Sequence, residues 1–169
     1  MSNSELLFVV DEDDNPLDPL PRDEVIAKGL WRRTGGGMII DKKLGKVLCQ
    51  RRSENKDERP GVWSTLFGGK CDDGELPEDT TLRELQEEHG IIAKKQDLKF
   101  YTKYKADTRR QFEYLYLIYF DSTKYKASFD PMEVAEVAWK DINEAIKLLQ
   151  NDPGWYEYGY DIEMLEQAL

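Results

Sequence analysis

The chain is patterned in short apolar runs separated by turn residues, and the repeat shifts from alternation to helical spacing at a few places. Residues 6–10, LLFVV, predict a short strand that DEDDNP turns over, and DEVIAKGL reads as a brief helix or a loop. MIIDKKLGKVLCQRR predicts a hairpin, with strands at 38–40 and 46–50 around a turn at 43–45. The polar loop SENKDERPG leads to a further short strand at 63–67. FEYLYLIYF at 112–120 is aromatic and apolar enough to predict another strand. A strand at 134–139 follows, and Asp141 caps a helix reaching residue 149. The tail WYEYGYDIEMLEQAL predicts a short terminal helix. Strands interleaved with two substantial helices indicate an α/β fold. The length suits one core: a single domain over 1–169, with 1–30 an N-terminal extension packed on it.

Helical spacing is clearest between residues 77 and 89. Pro77 suits a first turn, Glu78 and Asp79 complement its positive end, and Gly90 ends it. At about 100° per residue, Glu84, Glu87 and Glu88 fall near 0°, 300° and 40°, while Leu82 and Leu85 fall near 160° and 100°. The leucines anchor one side and the three acids converge on another. Like charges at this spacing cost roughly 0.2–0.5 kcal/mol per pair, which points either to a cation among them or to plain solvent exposure.

Charge narrows the choice of ligand. Acids outnumber Lys and Arg 34 to 24, a net charge of −10. That balance opposes a broad nucleic-acid surface or a grip on an anionic membrane, and leaves room for a phosphorylated small molecule held through a metal or a local basic pocket. The opening residues lack the order of a secretory signal, no stretch is long enough to span a bilayer, and Cys49 and Cys71 supply neither a disulfide framework nor a zinc set. The expected location is cytoplasmic. Carboxylate oxygens on one helix face suit Mg²⁺, with Mn²⁺ as the alternative.

Gly69, Glu75, Arg83, Glu84, Leu85, Glu87, Glu88, Gly90 and Ile91 together match Gly-x5-Glu-x7-Arg-Glu-aliphatic-x-Glu-Glu-x-Gly-aliphatic, the pattern of the Nudix box. The chain therefore resembles the Nudix family. QRR at 50–52, PGVW at 60–63 and EVAEVAW at 133–139 extend the likeness toward the branch of isopentenyl-diphosphate-isomerase-like Nudix hydrolases. The resemblance implies an αβα sandwich with a mixed β-sheet, in which the box forms a loop, helix and loop that binds divalent metal and pyrophosphate. It implies Glu84, Glu87 and Glu88 as metal ligands and catalytic acids, and Gly69, Glu75 and Arg83 as supports of the catalytic loop. The implied activity is cleavage of a diphosphate linkage in a nucleotide-linked or related molecule.

Outside the box, Arg51 and Arg52 are candidate phosphate clamps and Trp63 a candidate stacking surface, against readings as a basic strand edge and a core aromatic. Glu133 resembles a later carboxylate that completes a metal shell or deprotonates water, with Glu136 the alternative in the same segment. Thr80 and Thr81 stand where relatives carry small alanines, and His89 reads as a packing or helix-end residue. The glycines at 35–37 lack the strand-to-helix setting of a P-loop and predict a bend or bulge. Two competing functions remain at this level. An isopentenyl-diphosphate-type isomerase fits the architecture, but Arg32 stands where that branch often has His, and Leu66 and Phe67 occupy the region of its catalytic cysteine motif. A non-catalytic nucleotide-binding sensor could retain the same acids. Oligomeric state is open, a homodimer included.

Overall fold

A computed structural model describes residues 5–169. The first four residues of the expected N-terminal extension lie outside the described part. Ten strands and four α-helices follow one another as β1 (Leu6–Leu7), β2 (Val9–Val10), β3 (Leu20–Pro21), α1 (Arg22–Ala27), β4 (Trp31–Asp41), β5 (Lys46–Arg52), β6 (Trp63–Ser64), β7 (Phe67–Lys70), α2 (Pro77–His89), β8 (Leu98–Ala106), β9 (Gln111–Tyr119), β10 (Val134–Asp141), α3 (Ile142–Asn151) and α4 (Asp161–Ala168).

The main sheet runs β10-β5-β4-β9-β8. It is mixed: β4 and β9 are parallel, and the other neighbours are antiparallel. One edge of β4 is shared among three partners, β2 at Trp31 and Arg32, β7 from Thr34 to Gly37, and β5 at Ile40 and Asp41. Helix α2 lies on one face, where Leu85 joins Ile39, Phe67, Tyr116 and Ile118. Helices α3 and α4 cover the other, where Ile142, Ala145, Met164 and Leu165 meet Met38, Ile40, Cys49, Leu115 and Leu117. Alternate residues of β4 and β9 thus feed two cores, as strand geometry requires. This is the αβα sandwich with a mixed sheet that the resemblance implied.

The glycines at 35–37 form no bend. They lie inside β4, an 11-residue strand, and are buried. A methyl group on Gly35 would lie 2.2 Å from the Pro77 carbonyl oxygen, and one on Gly36 2.2 Å from that of Phe67. Their smallness answers close approach of α2 and β7, a requirement invisible to a reading of local turn chemistry. Three further boundaries shift. The 6–10 run divides into β1 and β2, because Leu6 and Leu7 pair with β3 while Val9 and Val10 pair with β4. The 63–67 run breaks at Thr65 and Leu66, so that β6 joins β5 and β7 joins β4. Strand β8 was not expected; it is an edge strand, largely exposed, whose lysines mask any clean alternation.

Residues 5–30 form a small cluster of their own, with Leu7, Val9 and Val25 fully buried. The Phe8 amide donates to the Cys71 carbonyl and the Asp73 amide to that of Leu6, tying this segment to the loop that follows β7.

Candidate functional site

Helix α2 ends in Gly90 at φ 68°, the left-handed conformation that favours glycine after a helix. Thr80 and Thr81, both buried, have specific work at its start. Thr81 Oγ1 donates to the Pro77 carbonyl at 2.7 Å, and Thr80 Oγ1 donates to Glu75 Oε2 at 2.9 Å. Glu75 in turn takes Arg83 in two bonds, Nε to Oε1 at 2.9 Å and Nη2 to Oε2 at 3.1 Å. Arg83 Nη2 also reaches the Lys70 carbonyl at 3.3 Å. Glu75 and Arg83 thus join the helix to the loop in a geometry stronger than that of an exposed ion pair.

Gly69 faces α2. A methyl group there would lie 2.0 Å from Glu84 Oε1, so glycine is what lets this carboxylate settle on the loop. Glu84 accepts from Arg83 Nη1 at 2.7 Å. Glu88 is buried and accepts from Gln50 Nε2 at 2.8 Å; the same nitrogen donates to the Leu66 carbonyl at 3.2 Å. Burial, and then the charge of Glu84, hold Glu88 well above the usual carboxylate range; burial also raises Glu84, against the pull of Arg83. Glu87 is exposed and lies 3.3 Å from Arg83 Nη1. Glu133 enters from the turn before β10, bonded to Lys56, and its charge acts on both Glu84 and Glu88. Glu136 is turned away, exposed and 3.4 Å from Arg51 Nε.

Along β5, Gln50 and Arg52 share a face and Arg51 takes the other. Arg52 donates from Nε to the Glu58 carbonyl, and its charge reaches Glu88. Arg51 is occupied by Glu54 and Glu136. Trp63 is stacked on Trp155, centroids 5.5 Å apart and planes 13° apart, and packs against the α3 and α4 core, which leaves one ring face at most for a ligand. His89 is a buried core imidazole against the edge of Phe67, its pKa pushed down to about 3 by burial. Sequence reasoning passed over Gln50, although its place two residues before Arg52 on a strand was the available signal.

As these side chains stand, with Glu84 and Glu87 on Arg83, no three His, Cys, Asp or Glu groups among the described residues are gathered for a metal ion. The donor chemistry nevertheless fits a hard divalent cation: Glu84 and Glu88 are withdrawn from water, Glu84 raises the pKa of Glu88, and a third acid, Glu133, lies within electrostatic reach of both. Two cavities lie elsewhere, one of about 350 Å³ beside the β4–β5 turn and one of about 340 Å³ beside the β8–β9 turn. No helix among the described residues is long and apolar enough to cross a membrane.

A mixed sheet between helices, with a braced acidic loop and helix laid on it, defines an α/β sandwich with a carboxylate-lined site. The chain belongs to the Nudix family, whose domain model matches residues 31–159. An uncharacterized Nudix hydrolase of Pseudomonas aeruginosa is 41% identical over 90 residues, 53% of each chain. An isopentenyl-diphosphate Delta-isomerase of Serratia proteamaculans is 30% identical over 83% of this chain and 78% of its own. The alignment with the Pseudomonas protein thus spans about half of that relative. Among solved structures, a Deinococcus radiodurans protein superposes with TM-score 0.75 at 20% identity, covering 97% of this chain and 99% of the other. A MutT Nudix hydrolase of Burkholderia pseudomallei gives 0.57 at 20% identity, covering 82% and 97%.

Proposed function

We propose that the chain is a divalent-metal-dependent Nudix hydrolase that cleaves a diphosphate linkage in a nucleoside-diphosphate-linked or related small molecule. The observation that carries this reading is the placement of Glu84 on Gly69 beside the buried Glu88, with Glu133 close enough to raise both. Carboxylates withdrawn from water in this way call for a cation. Mg²⁺ or Mn²⁺ held by Glu84, Glu87 and Glu88 would neutralise phosphate oxygens and promote attack by water. The chain's own residues account for the rest. Gln50 orients Glu88, the Glu75–Arg83 brace fixes the loop at Gly69, Arg52 offers planar donors to a phosphate, and Glu133 is placed to accept a proton from the attacking water.

Similarity to proteins named isopentenyl-diphosphate Delta-isomerase supports a second reading. Against it, Phe67 is buried in the α2 core, and burial pushes both thiols, Cys49 and Cys71, up to about 12, which leaves no reactive cysteine. A Mg²⁺-supported screen of nucleotides, nucleotide-linked metabolites and prenyl diphosphates in ¹⁸O-labelled water separates the readings. The hydrolase places one labelled oxygen on a phosphate product, and Glu88→Gln abolishes turnover while circular dichroism is unchanged. A prenyl isomer formed without phosphate release identifies an isomerase. Tight nucleotide binding without products identifies a sensor.

A further inference from the structure

Strands β4 and β7 set two cations side by side on the sheet face turned away from α2. Lys70 pairs with Thr34, and Arg32 stands two residues along the same strand, so their side chains share a face. Gly69, the residue before Lys70, faces Glu84, which fixes the direction of Lys70 as the opposite one. Both cations are half-buried. Among the described residues the Lys70 ammonium makes no hydrogen bond or ion pair, and Arg32 is held only by neutral oxygens. These are the Leu30 carbonyl at 3.4 Å and the Gln111 amide, which in its satisfied orientation accepts from Arg32 Nη2 at 3.0 Å.

The surrounding charge deepens the imbalance. Burial above all, and then the like charges of Arg22, Arg32 and Lys56 against that of Glu58, presses the Lys70 pKa down to about 8. Glu58 is exposed and pairs with neither cation. A chain with 34 acids and 24 bases could readily have paired these two with carboxylates. Glu58 and Glu113 act on Arg32 from a distance, but no carboxylate among the described residues touches either cation, and partly desolvated cations without a direct partner are unfavourable unless an anion arrives from outside.

Lys56 links the pair to the acids across the sheet edge. Lys56, which acts on Lys70, holds Glu133, and Glu133 acts on Glu84 and Glu88. Among the described residues strand β7 pairs only with β4, so no described strand closes its outer edge between the two groups. We propose that Lys70 and Arg32 form a second anion subsite beside β7, on the face away from α2, one that takes a phosphate carried by the substrate beyond the scissile diphosphate. A guanidinium fork beside a compact ammonium suits phosphate oxygens better than a single carboxylate. The role in substrate selection rests on the hydrolase reading; the binding of phosphate does not.

The test uses the full chain in EDTA, titrated with inorganic phosphate by calorimetry and by the ¹⁵N-lysine signal of Lys70. Saturable binding is expected, weakened about tenfold or more in Lys70→Met and in Arg32→Gln, as loss of a charge-assisted hydrogen bond requires. Lys70→Arg should retain it, as should Glu88→Gln, and acetate should bind at least tenfold more weakly. The unsubstituted chain reports through its own Lys70 signal even where a variant fails to fold. Equal affinity in wild type, Lys70→Met and Arg32→Gln, acetate binding as strong as phosphate, or no saturable phosphate binding would overturn the subsite. Failure of the hydrolase reading appears separately, as absence of turnover with phosphate binding intact.

Discussion

Asp161 shows how a single side chain takes its chemistry from its surroundings. It opens α4, is fully buried, accepts the Tyr158 amide on Oδ1 at 3.2 Å, and leaves Oδ2 without a partner. Burial raises its pKa from 3.8 to about 6. Below pH 3.8 the carboxyl is protonated in both folded and unfolded chains and costs nothing. As pH rises from 3.8 to about 6 the unfolded chain releases a proton that the folded chain keeps, so stability falls; above that window the loss is complete, on the order of 3 kcal/mol. Asp161→Asn keeps the acceptor for Tyr158 and removes the charge. It is expected to exceed wild type in stability by about 1–2 kcal/mol at pH 7 and to match it below about pH 4. Urea melts at both pH values check this, and an equal difference at the two would exclude the linkage. The box residues follow the same logic at closer quarters: Gly69 was legible from its motif, but the reason for glycine, the Glu84 oxygen against its missing methyl, is a tertiary contact.

At the scale of elements, α2 was the most legible part of the chain, because its proline start, its glycine end and its two faces are local properties. Leu85 is buried as the wheel predicts, while Leu82 is only half-buried. The acids diverge more than the wheel suggests, since Glu88 is buried and Glu87 exposed. Strand β4 was the least legible. Its glycines carry no β-signal, and their value depends on α2 and β7 arriving from elsewhere in the chain. Gly35→Ala should force the start of α2 away from the sheet, because the new methyl would meet the Pro77 carbonyl at 2.2 Å and the Thr81 hydroxyl at 2.8 Å. A loss of about 1–3 kcal/mol is expected, the usual range for overpacking. It should appear as a lower urea midpoint with an unchanged slope. A midpoint equal to that of wild type would mean that α2 has room to shift.

The whole molecule carries ten more negative than positive formal charges and withdraws two of its acids, Glu84 and Glu88, from water. A cation that binds only the folded chain must therefore stabilise it, by about 2.7 kcal/mol at a hundred times its Kd. For a chain of this length that corresponds to a rise in Tm of roughly 5–10 °C. Mg²⁺ should raise Tm by that amount in wild type and by far less in Glu88→Gln, at constant ionic strength; equal shifts in both would place the cation elsewhere. By itself the sequence determined the α/β class, the helix at residues 77–89, its caps, and the shared face of its acids, while the pairing of Glu75 with Arg83 was only implied by the resemblance to the Nudix pattern. The helix, its caps and its acidic face follow from spacing within a short segment, where neighbours along the chain are also neighbours in space. The tertiary structure alone decided that Gln50 holds Glu88, that Glu133 bonds Lys56 while Glu136 lies against Arg51, that one face of Trp63 is covered by Trp155, and that Lys70 and Arg32 share a sheet face with no carboxylate in contact among the described residues. Those pairings join residues from different strands and loops, and sheet register, which no single segment encodes, sets which of them meet.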